Sequence, residues 1–389
     1  MSDLEVDVAV VGAGLVGASF VRALAGAALK VVLVEPAPPP EAGPQWDSRI
    51  YAISPASAAF LEAVGAWAAL DRSRVQPVLR MEIRGDAPDA ALSFSAYEAG
   101  VAELAHIVES GRLQRALWEG LAGQPNVAVH CPARGAVLGI GTDAATLVLD
   151  GGTRIRARLV VGADGAASWV RGAARIDAAV QSYGQRGVVA NFACERAHRG
   201  TAFQFFRPDG VLAYLPLPDR RMSMVWSTPD AHANELLALG PDALCARVAE
   251  AGRHALGALE LLTPPAAFPL QMLAAERATD RRVALIGDAA HVVHPLAGQG
   301  VNLGFGDAHA LAEALAGREP FRDCGDPAVL RRYARSRAEA VAAMRTVTDG
   351  LHHLFGAKSA TISAIRNAGL NFTDRVPVLK TLLVRQALG

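Results

Sequence analysis

Val6-Asp7-Val8-Ala9-Val10-Val11-Gly12-Ala13-Gly14-Leu15-Val16-Gly17 decides the fold of this chain. Residues 6–11 form a short, almost wholly apolar run, the pattern of a parallel strand buried on both faces. Three glycines in a GxGxxG spacing follow, then a helical pattern over 15–27, then a second apolar run at 31–34 closed by Glu35. Strand, glycine turn, helix and strand make a βαβ unit. Gly12 permits the tight turn, Gly14 lets a pyrophosphate approach the backbone, and Gly17 lets helix and strand pack closely. The helix N-terminus offers unpaired N–H groups and a partial positive charge to phosphates. Glu35, 18 residues beyond Gly17, is placed to accept hydrogen bonds from the ribose hydroxyls of an adenosine. The motif alone does not separate FAD from NAD.

Two further glycine stretches extend the argument. Gly162-Ala163-Asp164-Gly165, continuing to Ser168, Val170 and Arg171, follows an apolar strand at 159–161. By turn chemistry it reads equally as a strand ending in an ordinary Asp-Gly turn. Gly287-Asp288-Ala289-Ala290-His291, then His294-Pro295-Leu296-Ala297-Gly298-Gln299-Gly300-Val301-Asn302-Leu303-Gly304, says more. A buried strand at 283–286 ends in Gly-Asp, and a Pro/Gly stretch leads into a helix over 300–316. Asp288 can bond a polyol hydroxyl, while Gly298 and Gly300 let a ligand lie against bare backbone. The helix start can stabilise an anion such as the N1–C2=O edge of a reduced flavin.

The rest of the chain sorts around these stretches. Residues 36–44, with three consecutive prolines, read as a surface loop. Helices are expected at 55–70, 112–123 and 328–354, and a strand at 81–84. Runs at 187–194, 201–206, 211–216 and 222–227, separated by short turns, predict an antiparallel sheet. The expected fold class is α/β: a Rossmann-like FAD-binding domain with an inserted antiparallel β-sheet substrate domain and C-terminal helices. The expected partition gives 1–75, 101–175 and 276–350 to the FAD-binding part, 76–100 and 176–275 to the substrate part, and 351–389 to a basic helical segment.

Composition narrows the function classes. Of 389 residues, 51% are apolar and 20% charged, a globular composition. The 38 basic residues balance the 38 acidic ones, so no net field favours nucleic acid. Cys131, Cys194, Cys245 and Cys324 have no metal-type spacing and read as ordinary reduced thiols. His291 and His294 lack a third ligand nearby, so no metal is expected. Acidic residues interrupt the N-terminus, and no apolar run is long enough to span a bilayer. The expected location is cytoplasmic, with peripheral contact at the inner face of the membrane left open. The segment 351–389 carries Lys358, Arg366, Arg375, Lys380 and Arg385 against the single acid Asp374, interleaved with apolar residues. Such a segment can rest on an anionic membrane or pack on the protein.

Together the three glycine stretches resemble the flavoprotein monooxygenases typified by p-hydroxybenzoate hydroxylase. Within them, the chain is most similar to the ubiquinone-biosynthesis FAD-dependent hydroxylases. Asp47-Ser48-Arg49 followed by Ala52-Ile53-Ser54 resembles that family's early Asp-x-Arg segment, and Gly111-Arg112-Leu113-Gln114-Arg115-Ala116-Leu117 its flavin-contacting helix start. His294–Gly304, Asp374-Arg375-Val376-Pro377 and Arg385-Gln386-Ala387-Leu388-Gly389 resemble the ubiquinone branch. The resemblance implies that Gly12, Gly14, Gly17 and Glu35 hold the ADP half of FAD. It implies that Arg49 and Arg112 contact the pyrophosphate or ribityl region and that Asp164 and Asp288 anchor the middle. Pro295, Gly298, Gly300 and Asn302 would border the flavin ring.

No second strand–GxGxxG–helix unit is present in the sequence, in keeping with a family in which NAD(P)H binds only transiently. The resemblance implies NAD(P)H as electron donor, O2 as co-substrate and a hydrophobic, polyprenylated aromatic substrate. Its pocket must exclude water; Phe192, Phe203, Phe205, Tyr214 and Trp226 are candidates to line it, or else core aromatics. No residue stands out as a general base. The rival readings are a hydroxylase of small soluble aromatics, a different flavin enzyme, and an FAD-retaining subunit that organises a complex of ubiquinone-pathway enzymes. The Trp-x-Trp-x-Ile-Pro pattern of flavin halogenases is absent.

Overall fold

The computed structural model describes residues 3–39, 41, 43–87, 90–293 and 300–356. Its centre is a sheet in which Val283–Leu285, Arg154–Gly162, Asp3–Val11, Val31–Val34 and Val127–His130 lie parallel, in that order. The register sets Val8 against Leu159 on one side and Val31 on the other. The lack of polar alternation in these strands has a direct cause. Val8, Val10, Val31, Leu33 and Leu159 face one apolar core, with the helices Leu15–Ala23, Ser110–Leu121 and Gly300–Ala316. Ala9, Val11, Val32, Val34 and Val160 face a second, under the strands Gly135–Ile140 and Ala145–Leu149 and the helix Trp169–Ala173. Both faces are covered, so neither can be polar.

A nine-stranded sheet forms the other main layer. It runs His291–Val292, Ala266–Ala275, Ala178–Cys194, Arg221–Pro229, Gly210–Leu217, Thr201–Arg207, Arg80–Arg84 and Ala91–Ser95, with Leu259–Leu261 also paired to the long Ala178–Cys194 strand. The early strands Arg80–Arg84 and Ala91–Ser95 thus join the sheet built mainly from residues after 178. Only the pairing of Thr201–Arg207 with Arg80–Arg84 is parallel. A small antiparallel sheet of Ile50–Ile53, Ala105–Glu109 and Gln76–Val78 lies between the two large ones. Its Ile50, Ala52, Val78 and Ile107 pack on Ala202, Leu215 and Leu217 of the nine-stranded sheet.

The five aromatics offered as pocket lining do not line a cleft over the glycine turns. Phe192, Phe205, Tyr214 and Trp226 are buried, with Phe203 beside them, in a core shared with Ala233, Leu236, Leu244 and Val248 of the helices Asp230–Ala238 and Pro241–Ala251. The Tyr214 hydroxyl donates to Val248 O at 2.5 Å. Side chains alternate across a strand, so Asn191, Ala213, Leu215, Ser223 and Val225 occupy the opposite, inner face. The helix expected over 55–70 stops at Ala63, after which Gly65 takes a positive φ of 74°. Trp67 and Leu70 are still buried; their apolar spacing reflects core packing by a turn rather than another helical turn. The strand expected from 187 begins at Ala178, and its pairing with Ala266–Ala275 shifts register between Ser182 and Gln185. No helix among the described residues is long and apolar enough to cross a membrane.

Candidate active site

The glycine stretches meet at the carboxyl ends of the parallel strands, where open α/β sheets bind ligands. Gly12 has φ +101° and donates its N–H to Val34 O at 2.9 Å; a Cβ there would stand 2.4 Å from Ala163 O. A Cβ on Gly17 would stand 2.0 Å from Gly12 O. Packing therefore demands glycine at both positions. Gly14 differs: a Cβ there would meet nothing within 4 Å. It caps the helix Leu15–Ala23 with no side-chain hydrogen bond, so the helix start faces open space with its donors uncapped. Glu35 ends Val31–Val34 beside this turn and accepts the Ala13 N–H through Oε2 at 2.5 Å.

The second stretch is tied to the first and the third. Ala163 N–H donates to Val11 O at 2.8 Å. Asp164 accepts the Ser168 hydroxyl at 2.5 Å on Oδ1 and the Val170 N–H at 2.9 Å on Oδ2. Both carboxylate oxygens thus organise the turn into Trp169–Ala173. Arg171 on that helix donates to Ala166 O at 2.8 Å and to Ala289 O at 2.9 Å, which clamps the second stretch to the third.

In the third stretch Gly287, at φ +60°, lies on Val16: a Cβ would come 3.2 Å from both of its methyl groups. Asp288 follows, exposed between the buried Gly287 and Ala289. Burial pushes its carboxyl above the usual range, against the opposing pull of His291 and Arg49. Arg49 is held by its backbone: its N–H donates to Asp47 Oδ1 at 2.8 Å and its carbonyl accepts the Ser110 N–H at 2.9 Å. Asp47 Oδ2 accepts the Gly111 N–H at 2.9 Å, joining the Asp-x-Arg loop to the start of Ser110–Leu121. Tyr51, in reach of the same charges, has its hydroxyl pushed up by burial.

Arg112 extends from that helix start. It donates to Glu109 Oε2 at 2.9 Å and Gly43 O at 3.0 Å. Glu109 is buried and also grips Arg74, at 2.7 Å, whose guanidinium stacks 3.6 Å over Trp46. Gly300 opens the helix Gly300–Ala316. Asn302 in its first turn donates to Ala52 O at 2.9 Å and accepts the Ser54 N–H at 3.0 Å. Its amide braces the strand Ile50–Ile53 against the helix. Pro295, Gly298 and His294 lie outside the described residues, as does segment 357–389.

A cavity of about 610 Å3 lies at the opposite end of the parallel sheet, lined by Glu5, Asp7, Lys30, Arg156 and Arg158. Its charges pair with one another, Arg156 with Glu5 at 3.0 Å and Arg158 with Asp7 at 3.3 Å. It is remote from the glycine turns.

The open Gly14 face, the uncapped helix start, Glu35 and the exposed Asp288 suit a dinucleotide laid across the strand ends. Residues 5–348 match the family described as FAD binding domain. The 3-demethoxyubiquinol 3-hydroxylase of Escherichia coli is 36% identical, over 100% of both chains. The ubiquinone hydroxylase UbiL of Rhodospirillum rubrum is 35% identical, over 100% of this chain and 90% of its own. This chain belongs to the ubiquinone-biosynthesis FAD-dependent hydroxylases. Among solved structures, PqsL, a probable FAD-dependent monooxygenase of Pseudomonas aeruginosa, aligns with TM-score 0.80 at 27% identity, over 95% of this chain and all of its own. The p-nitrophenol 4-monooxygenase PnpA of Pseudomonas putida shares the fold, with TM-score 0.79 at 20% identity over 100% of this chain and 99% of its own.

Beneath these motifs lie residues that, His291 apart, the motifs did not reveal. Buried Asp307, His291 and Tyr333, with half-buried Arg337, form a polar layer beneath the Gly287-Asp288 turn. Glu109 and Arg74 support Arg112 and the Asp47–Arg49 loop. The available signal was a charge where periodicity predicts apolar burial: Asp307 on the core face of its helix, and Glu109 ending the apolar run Ile107-Val108. Such charges are kept only when partnered.

Proposed function

We propose that this hydroxylase uses NAD(P)H and O2 to add one oxygen atom to the ring of a polyprenylated phenol or benzoquinol intermediate of ubiquinone biosynthesis. When bound, FAD supplies the redox chemistry, accepting a hydride equivalent and activating O2. One observation supports the substrate class best: the flavin turn and the nine-stranded sheet are continuous. His291–Val292, just past Asp288, pairs with Ala274 and Leu273 of that sheet. On the other flank Asn191 donates to Asp47 O at 2.8 Å. The inner face of the sheet therefore walls the cleft beside the cradle. That wall is apolar where Val189, Val225 and Ala213 are neighbours across the strands. Phe268 lies over Gly187, where a Cβ would come 2.9 Å from its ring; Phe268 is 37% exposed.

An apolar wall keeps water from the reacting ring and offers surface to a hydrocarbon tail. The relatives named as acting on ubiquinone intermediates support the same class. The basic, apolar-interleaved sequence of 351–389 supports peripheral contact with the membrane in which such a substrate dissolves. The test is the quinone profile, by mass spectrometry, of cells lacking the gene and of cells with it restored. A prenylated intermediate short of one hydroxyl should accumulate and disappear on restoration. Unchanged ubiquinone would remove the quinone assignment and leave a small soluble aromatic as the substrate.

A further inference from the structure

Asp307 lies beneath the flavin turn, on Gly300–Ala316, and is 1% exposed. It accepts three donors. Gly287 N–H reaches Oδ2 at 2.9 Å, His291 Nε2 reaches the same oxygen at 2.6 Å, and Arg337 Nε reaches Oδ1 at 2.8 Å. A carboxylate facing an arginine only accepts, so Nε2 is the protonated nitrogen of His291 in this pair. Two of the donors belong to the flavin turn itself. The third comes from the long helix Pro327–Gly356.

That helix grips the turn twice. Arg337 also donates to Leu303 O at 3.1 Å and fits against Gly306, where a Cβ would come 2.7 Å from its guanidinium. Tyr333, one turn earlier and 1% exposed, donates its hydroxyl to Leu285 O at 2.8 Å. Leu285 is the last residue of the strand that delivers Gly287. Tyr333 thus fixes the chain just before the turn, and Arg337 fixes the turn through Asp307. None of these side chains reaches the open Gly14 face, so their effect on a bound dinucleotide passes through Gly287 and Asp288.

We propose that Asp307 and Arg337 are positioning residues that make FAD binding and the docking of helix Pro327–Gly356 mutually dependent; this rests on the reading of Gly287–His291 as a flavin turn. The helix holds the turn in its ligand-accepting form. By linkage, FAD held on the turn secures the helix to the same extent. Loss of the Arg337 guanidinium leaves the buried Asp307 carboxylate short of a charged donor, and the turn must rearrange to satisfy it.

The experiment is amide hydrogen exchange on the full-length chain with and without FAD, together with FAD affinity by flavin fluorescence. In the wild type, FAD should slow exchange both in the glycine-turn segment 12–21 and in the helix segment 329–340. R337M should weaken FAD about tenfold or more, within the usual range of such couplings. It should also abolish FAD-dependent protection of 329–340 while leaving that of 12–21. R337K, which keeps a donor to Asp307, should recover most of both effects. The proposal is overturned if FAD protects 12–21 but not 329–340 in the wild type, a result that needs no variant. It is equally overturned if R337M binds FAD within about twofold of the wild type. FAD protecting neither segment would remove the flavin reading of the turn, and the coupling with it.

Discussion

The carboxyl end of the parallel sheet and the inner face of the nine-stranded sheet lie side by side, yet they are built on opposite principles. At the parallel sheet, specificity lies in backbone. Gly12 and Gly17 are dictated by contacts with Ala163 and with Gly12 itself, whereas a Cβ on Gly14 would meet nothing within 4 Å. At the nine-stranded sheet, specificity lies in which side of a strand a side chain takes. The large aromatics Trp226, Tyr214 and Phe192 went to the helix-covered outer face, leaving Val189, Ala213 and Val225 with Phe268 on the inner face. Glycine stereochemistry is local and can be read from the sequence. The choice of face is a tertiary decision when both faces are covered.

The sharpest way to break this comparison is to put one methyl group at two glycines. Gly17→Ala forces a Cβ to 2.0 Å from Gly12 O, and should destabilise the protein by about 2–3 kcal/mol as well as abolish FAD binding. Gly14→Ala meets nothing within 4 Å, so the apo chain should lose under about 1 kcal/mol. Its FAD affinity should nonetheless fall by about tenfold, the worth of one hydrogen bond. Thermal melts of the apo chains and FAD titrations separate the two. Equal losses of stability would mean that Gly14 is structural and that the cradle lies elsewhere.

The next contrast concerns the two faces of the sheet. Trp226→Ala empties a fully buried site and should cost about 3–5 kcal/mol while leaving KM for the aromatic substrate unchanged in the fraction that folds. Phe268→Ala, at a residue 37% exposed, should cost under about 1 kcal/mol and raise KM severalfold. Denaturant melts and substrate-dependent NAD(P)H oxidation measure both. The reverse pattern would place the substrate against the outer face.

The smallest effect is electrostatic. Burial raises the Asp288 carboxyl above its unfolded value, so the folded apo chain binds this proton more tightly than the unfolded one. Its contribution is therefore most favourable below the ordinary carboxylate range and is lost as pH rises through the raised value. Asp288→Asn should accordingly raise the apo melting temperature slightly at neutral pH, lose that gain on acidification, and weaken FAD. A gain that persists at acid pH would assign it to something other than removal of that charge.

How much was legible in the sequence follows from the same contrast. The βαβ start, the helix Gly300–Ala316 and the four antiparallel runs were readable, because apolar period and turn residues are local. Asp164 and Asn302 were marked by motif, and the structure adds the bonds they make within the protein: Asp164 holds Ser168 and Val170, and Asn302 holds Ala52 and Ser54. A motif places a residue near the site without showing which bonds it makes. Asp307, Arg337 and Glu109 were not foreseen: the partners of Asp307 and Arg337 and the Arg74 of Glu109 lie 16 to 35 residues off, and only the fold brings them together. The helix over 55–70 was overextended because Trp67 and Leu70 are buried by tertiary contacts that mimic helical spacing.

The most direct measurement is isotopic. The FAD-loaded enzyme would be given NAD(P)H, a prenylated phenol and 18O2, and the product analysed by mass spectrometry alongside NAD(P)H consumption. One 18O atom per product molecule, with one NAD(P)H oxidised for each, is the predicted result. Product oxygen drawn from water, or NAD(P)H oxidation that ignores the phenol and leaves it unchanged, would contradict the assignment of this chain as an oxygen-inserting hydroxylase of such a ring.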